Sequence, residues 1–313
     1  MAAEPLALDT IVFARGLTTP PGVKPELSGI SLDVLPGEIF SIVGRAGSGK
    51  TTLLEALIGM RPALRDTLQV CGHDPRRVPE ALRQRIGVAL AHAEFERKIT
   101  VEEALRLAAG FYDRSDPQRA LAQLRLEPVR HRQIESLPAP MRQRVSLAAA
   151  LINDPAVLFA DEPTHEMDPE GTRLVFDLLR ERRDRGRTSV IATNHLEEAA
   201  RLSDRIAVLE RGRLVAVDTP AALIRRSRAP VRVTFEVTKP DVPLDALLAL
   251  DAVIDARLDR TTYVLTSRDG HATLRAVLRM LDRLQLRPLA VGLRQQALED
   301  VFFEMIAAGE ADA

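Results

Sequence analysis

Short apolar runs separated by turn residues open the chain. Asp9 to Phe13, Gly29 to Val34 and Glu38 to Val43 read as strands, with Pro36-Gly37 as a tight turn before the third. Ile39 to Val43 leads into a Gly-rich loop, and beyond it Thr52 to Ile58 puts Leu53, Leu54, Leu57 and Ile58 on one helical face. From about Val78 to Leu151 the pattern is that of amphipathic helices rich in Arg, Glu, Ala and Leu, including Val101 to Phe111 and Pro117 to Leu126. A helical insertion is expected there. Strand-type runs return at Ala156 to Ala160, Thr188 to Ala192 and Arg205 to Leu209 with helices between them, the alternation of a parallel sheet with crossover helices. Near Ser227-Arg-Ala-Pro230 the rhythm breaks. Strands at Val231 to Val237 and Thr262 to Thr266, with helices at Leu244 to Leu250 and Ala272 to Leu284, predict a separate small α+β domain.

A length of 313 residues suits one large domain and one smaller one. No run approaches the roughly 18 to 20 apolar residues of a membrane-spanning helix, because Arg, Asp or Glu interrupts each one. The first residues lack a basic-then-apolar secretory pattern, so a cytosolic location is expected. Lys plus Arg (43) nearly balances Asp plus Glu (44), which leaves no global attraction for nucleic acid or acidic lipid. The single cysteine, Cys71, excludes an internal disulfide and a cysteine-built zinc site.

The chemistry concentrates in two places. Gly44-Arg45-Ala46-Gly47-Ser48-Gly49-Lys50-Thr51 fits G-x-x-x-x-G-K-[ST] and lies between an apolar strand and a helix, which Thr52 continues. Glycines let backbone N–H groups converge on phosphate oxygens, and the positive end of the following helix favours the same anion. Lys50 would reach the β- and γ-phosphates, and the Thr51 hydroxyl would ligate Mg²⁺. Only four of the basic residues are lysine, so this one is informative. The second place is Ala156-Val-Leu-Phe-Ala160-Asp161-Glu162, an apolar run ending in two carboxylates. A buried strand would deliver Asp161 to Mg²⁺ and Glu162, as general base, to the attacking water.

Together these motifs resemble the nucleotide-binding subunit of ATP-binding-cassette (ABC) transporters. Glu162-Pro163-Thr164 with Met167-Asp168-Pro169 looks like that family's D-loop region, Thr193-Asn194-His195 like its switch-histidine loop, and Asp204 to Val215 like the strand pair that follows. The resemblance covers about residues 8 to 225. It implies a P-loop NTPase of α/β class: a RecA-like core with an antiparallel β subdomain and a helical subdomain at about 79–150, together filling residues 1–226. It also implies ATP and Mg²⁺ as cofactors, a γ-phosphate contact for His195, transmembrane permease partners and a place on the cytoplasmic face of the membrane. Gln296 to Met305 is similar to the tail of the ABC-2 exporter branch, which implies an accessory, dimerising role for residues 230–313 and transport outward.

Three positions depart from the family. Its Leu-Ser-Gly-Gly signature is replaced by Leu137-Pro138-Ala139-Pro140-Met141. Two prolines have no N–H to donate, Ala139 approaches less closely than glycine, and the serine hydroxyl is gone. The family's Mg²⁺-sensing glutamine aligns with Ala91, beside His92. The adenine-stacking aromatic falls at Pro20-Pro21. In the family each ATP site joins one chain's phosphate loop to the other's signature, so a homodimer of this chain would have two damaged sites. The expectation is an asymmetric heterodimer with a second cassette whose signature is intact. A regulatory subunit that holds ATP and hydrolyses it little remains the alternative. A ribosome- or DNA-directed ABC protein is disfavoured by the single phosphate loop and the lack of heptads, and no nucleic-acid partner is expected.

Overall fold

The structure is a computed structural model that describes residues 10–64, 67–77, 79–91, 95, 98–226, 231–237 and 242–294. The chain divides into two units, Met1–Pro220 and Ala221–Ala313. Within the first, strands β1 (Val12–Leu17), β2 (Ile30–Val34) and β4 (Thr67–Val70) form an antiparallel sheet in the order β2-β1-β4. A six-stranded sheet follows the order β5-β6-β7-β3-β8-β9. Its members are β3 (Ile39–Val43), β5 (Ile86–Ala89), β6 (Val157–Asp161), β7 (Thr188–Thr193), β8 (Arg205–Glu210) and β9 (Arg213–Asp218). All neighbours are parallel except β8 and β9.

Every residue of β3, β6 and β7 is buried, as expected of parallel strands covered on both faces. Alternate β6 side chains enter different cores. Val157 and Phe159 join the β1-β2-β4 sheet and helix α1 (Lys50–Leu57), while Leu158 and Ala160 face the opposite, helical layer. That layer draws on α3 (Val101–Ala109), α4 (Pro117–Gln123), α5 (Ala139–Ala150), α6 (Pro169–Asp184) and α7 (Leu196–Leu202). A short α2 (Glu80–Arg83) precedes β5. Helix α3 starts in a capping box: the Thr100 hydroxyl accepts from the Glu103 N–H, and the Glu103 carboxylate accepts from the Thr100 N–H. Among the described residues no helix is long and apolar enough to cross a membrane.

The second unit carries α8 (Pro220–Arg226) and α9 (Leu244–Leu248), together with α10 (Gly270–Arg283) over an antiparallel sheet ordered β11-β12-β10-β13. Those strands are β10 (Val231–Val237), β11 (Val253–Asp259), β12 (Thr262–Ser267) and β13 (Pro288–Arg294). Val233, Phe235, Tyr263 and Leu265 pack beneath Val277 and Leu281, with the Phe235 and Tyr263 rings stacked 4.7 Å apart.

Two expectations need correction. The span read as a helical insertion contains β5, which pairs with β6 in the central sheet. Four residues, Ile86-Gly-Val-Ala89, are too few to display a period, and only pairing with β6 makes them a strand. The first strand runs Val12–Leu17 rather than Asp9 to Phe13, fixed by the register that sets Val12 opposite both Val34 and Val70.

Candidate functional site

Register brings the site together. Val43 pairs with Thr193 and with Val208, and Asp161 pairs with Ala192, so the C-terminal ends of β3, β6 and β7 are level. The loop after β3, the carboxylates after β6 and the histidine after β7 therefore emerge along one edge of the sheet, where open α/β sheets place ligands.

The phosphate-type loop Gly44–Gly49 is held by close backbone approach. A Cβ on Gly44 would lie 2.3 Å from both the Leu209 carbonyl oxygen and the Ser48 Oγ, so only glycine fits. The β8–β9 turn also braces the loop, its Gly212 N–H donating to the Ser48 carbonyl at 2.8 Å. Gly49 caps α1 with φ 109°, and no acidic residue occupies the first turn of that helix to compete for an anion. Among the described residues the buried Ser48 hydroxyl has no hydrogen-bond partner. Lys50 is buried, and its ammonium donates to the carbonyls of Gly44 (2.9 Å) and Arg45 (3.1 Å). Burial pulls the Lys50 amine below the ordinary lysine range, against the opposing pull of Glu162, Asp161 and Glu210.

The Thr51 hydroxyl donates to Asp161 Oδ2 at 2.7 Å. A hydroxyl beside a buried carboxylate is the hard oxygen pair that suits Mg²⁺, and the Gly44 cradle with its unsatisfied serine suits a phosphate. These residues fit the group. Glu162 has a left-handed backbone, φ 45°, and its N–H donates to the Ala192 carbonyl at 2.8 Å. A glutamate held there costs free energy, and such strain concentrates at functional sites. Its carboxylate accepts from the Thr193 hydroxyl and the Asn194 N–H, each at 2.9 Å. His195 is exposed at the start of α7, and its backbone N–H donates to the same Thr193 hydroxyl at 3.0 Å.

The residues read as the signature, Leu137 to Met141, lie at the start of α5. Pro138 is its N-cap with no side-chain cap, and both the Met141 N–H (3.0 Å) and the Arg142 N–H (3.1 Å) donate to the Pro138 carbonyl. Farther along that helix the Gln143 amide approaches the Glu162 carbonyl at 3.4 Å. Ala91 is half-buried after β5; His92 and the segment Gln296 to Met305 lie outside the described residues. The β8–β9 brace and the Thr193 bond to Glu162 escaped the sequence reading, which took Thr193 only as the start of the switch-histidine loop. Thr193 stood one residue before Asn194-His195 at the end of an apolar run, a signal too common to single it out.

The ABC transporter family model matches residues 27–165. The Nod factor export ATP-binding protein I of Paraburkholderia xenovorans (strain LB400) is 34% identical over 298 residues, 91% of this chain and 93% of that protein. The daunorubicin resistance ATP-binding protein DrrA3 of Streptomyces coeruleorubidus is 30% identical, covering 95% and 96%. In fold, a solved ATP-binding subunit of an ABC transporter superposes with TM-score 0.64 over 69% of this chain and 93% of its own, at 24% identity. With such identity sustained along nearly the whole sequence, this chain belongs to the ATP-binding proteins of ABC transporters, a family of ATPases that bind ATP with Mg²⁺ and couple its hydrolysis to transport.

Proposed function

We propose that this chain is the ATP-hydrolysing subunit of an ABC exporter, working in an asymmetric heterodimer with a cassette that carries an intact signature. The observation that carries the reading is the pairing of a built phosphate loop, with Thr51 on Asp161 at 2.7 Å, and an α5 start bearing Pro138 and Pro140. Export comes from the relatives, named for Nod factor export and daunorubicin resistance.

In this reading Gly44 to Thr52 cradle the phosphates, and Lys50 leaves its two loop carbonyls to neutralise charge on the transferred group. Thr51 and Asp161 would hold Mg²⁺, which supplies further charge neutralisation when bound. Glu162 orients the attacking water and takes its proton, and His195 contacts the γ-phosphate. The permease docks at the cytoplasmic face of the membrane, using the Ala91 to Thr100 stretch and an apolar groove of about 590 Å³ lined by Phe95, Leu107, Phe111 and Tyr112. Residues 1–226 serve as the cassette and residues 230–313 as an accessory, dimerising domain.

The test is Mg-ATP turnover of the complex isolated through a tag on this chain, with Glu162→Gln alongside and the co-purifying chains identified. Turnover abolished by that change, with a second, intact-signature cassette present, supports the proposal. A functional homodimer with brisk turnover removes the asymmetric reading. Ala91, standing where the family has glutamine, favours a second reading, an ATP-holding regulatory subunit. Turnover indifferent to Glu162→Gln would select it.

A further inference from the structure

We propose that Thr193 is a positioning residue for hydrolysis, its hydroxyl setting the Glu162 carboxylate and the His195 loop in one fixed relation. The proposal rests on Glu162 being the base. A threonine hydroxyl has one proton to give and two lone pairs to offer. Here the proton goes to Glu162 Oε2 at 2.9 Å, and a lone pair accepts the His195 N–H at 3.0 Å. Thr193 is 4% exposed, so water is poorly placed to substitute for either bond.

Two further ties make the arrangement rigid. The Asn194 N–H holds the other Glu162 oxygen at 2.9 Å, and the Thr164 hydroxyl donates to Glu198 on α7 at 2.6 Å. The turn that bears the base and the turn that bears the histidine are thereby joined at both ends. A carboxylate has about four acceptor positions, so two donors fix its plane and leave others for the attacking water. Asn194 alone would fix one oxygen and let the plane swing. Displacing a catalytic group by about 1 Å costs on the order of 100-fold in rate, so the tie at Oε2 has leverage.

The experiment compares kcat and KM for Mg-ATP in the tagged complex carrying wild-type chain, Thr193→Val, Thr193→Ser or Glu162→Gln, with Mg-ATP binding measured for each. Valine keeps the shape and removes the hydroxyl; serine keeps the hydroxyl and removes the methyl. We expect Thr193→Val to lower kcat about tenfold or more with KM within about twofold, and Thr193→Ser to stay within about threefold of wild type. Unchanged kcat in Thr193→Val beside an inactive Glu162→Gln would overturn the Thr193 role and leave Glu162 as base. Thr193→Ser as slow as Thr193→Val would assign the effect to packing and overturn it as well. Thr193→Val losing Mg-ATP binding would make Thr193 a residue of the fold. Full turnover in Glu162→Gln would end both the base assignment and the proposal resting on it.

Discussion

In the proposed reading helices α1 and α5 each begin at a phosphate, and the two starts are built differently. Each has a positive N-terminal end from its aligned peptide dipoles, and neither carries an acidic residue in its first turn. The difference lies in donors. Before α1, Gly44 to Gly49 wrap a loop so tight that a Cβ on Gly44 would strike two oxygens at 2.3 Å, and Lys50 lies buried beside it. At α5, Pro138 and Pro140 have no N–H, while Met141 and Arg142 both donate to the Pro138 carbonyl. Proline near a helix start presets the backbone and favours the helix. In the proposed reading the α5 start therefore suits its own helix, whereas the α1 start suits a ligand. A helix dipole is a weak attraction until free N–H groups are aimed at the anion.

The largest effect that could break this comparison is expected at Lys50. Lys50→Ala removes the buried ammonium beside the loop, and turnover of the complex should fall by about 10³-fold, the upper range for loss of a single preorganised donor. Turnover that survives would move the working site to the partner cassette. Next comes Gly44→Ala. The added methyl forces the loop off the Leu209 carbonyl, which should destabilise the chain by about 1–3 kcal/mol. Thermal denaturation reads that loss, and Mg-ATP binding should weaken with it. A variant as stable as wild type would show that the loop yields, contrary to the tight cradle.

How far the sequence foretold this site follows the same division. The phosphate loop was legible because its chemistry is written in consecutive residues, Gly44 to Thr51, flanked by elements of unmistakable period. Asp161 and Glu162 were legible because an apolar strand ends in them. The Thr51–Asp161 contact became a geometric fact only once β3 and β6 took their places on either side of β7. The Thr193 contact with Glu162, the β8–β9 brace and strand β5 were not legible, since each depends on residues distant in sequence: Glu162 for Thr193, Ser48 for Gly212, β6 for β5. Short strands and single hydroxyls have no period to betray them.

A smaller and more discriminating effect comes from reversing the α5 start. Pro138→Ser, Ala139→Gly and Pro140→Gly together restore two N–H groups and a hydroxyl, with Ala139→Gly costing up to about 1 kcal/mol of helix stability. In a Glu162→Gln background, Mg-ATP should then promote self-association of this chain. A gain of about tenfold in the dimer constant corresponds to about 1.4 kcal/mol, close to the low end for one hydrogen bond to a charged group. Sedimentation with and without Mg-ATP measures it. If the unaltered chain dimerises just as well with Mg-ATP, the prolines do not disable α5 and the contrast between the two helix starts fails.

The smallest effect concerns the base rather than the phosphates. The loop from Thr19 to Leu27 is braced by the Thr19 N–H on the Leu27 carbonyl at 3.1 Å and by the Leu27 N–H on the Thr19 hydroxyl at 2.9 Å. Half-buried Pro20 and exposed Pro21 sit in this frame and offer no aromatic face for adenine. If binding rests on the phosphate loop, ATP and GTP should have KM values within about threefold of each other, because phosphate contacts are common to both. Pro21 is exposed, so a tyrosine can be placed there without displacing the core. Stacking at such a site should contribute about 1 kcal/mol, a gain of about fivefold in ATP affinity. The added ring touches neither Lys50 nor Glu162, so kcat should stay as it was while KM falls. A change in kcat would mean that base and phosphate contacts are coupled, and that α1 does not act as a self-sufficient half of the site.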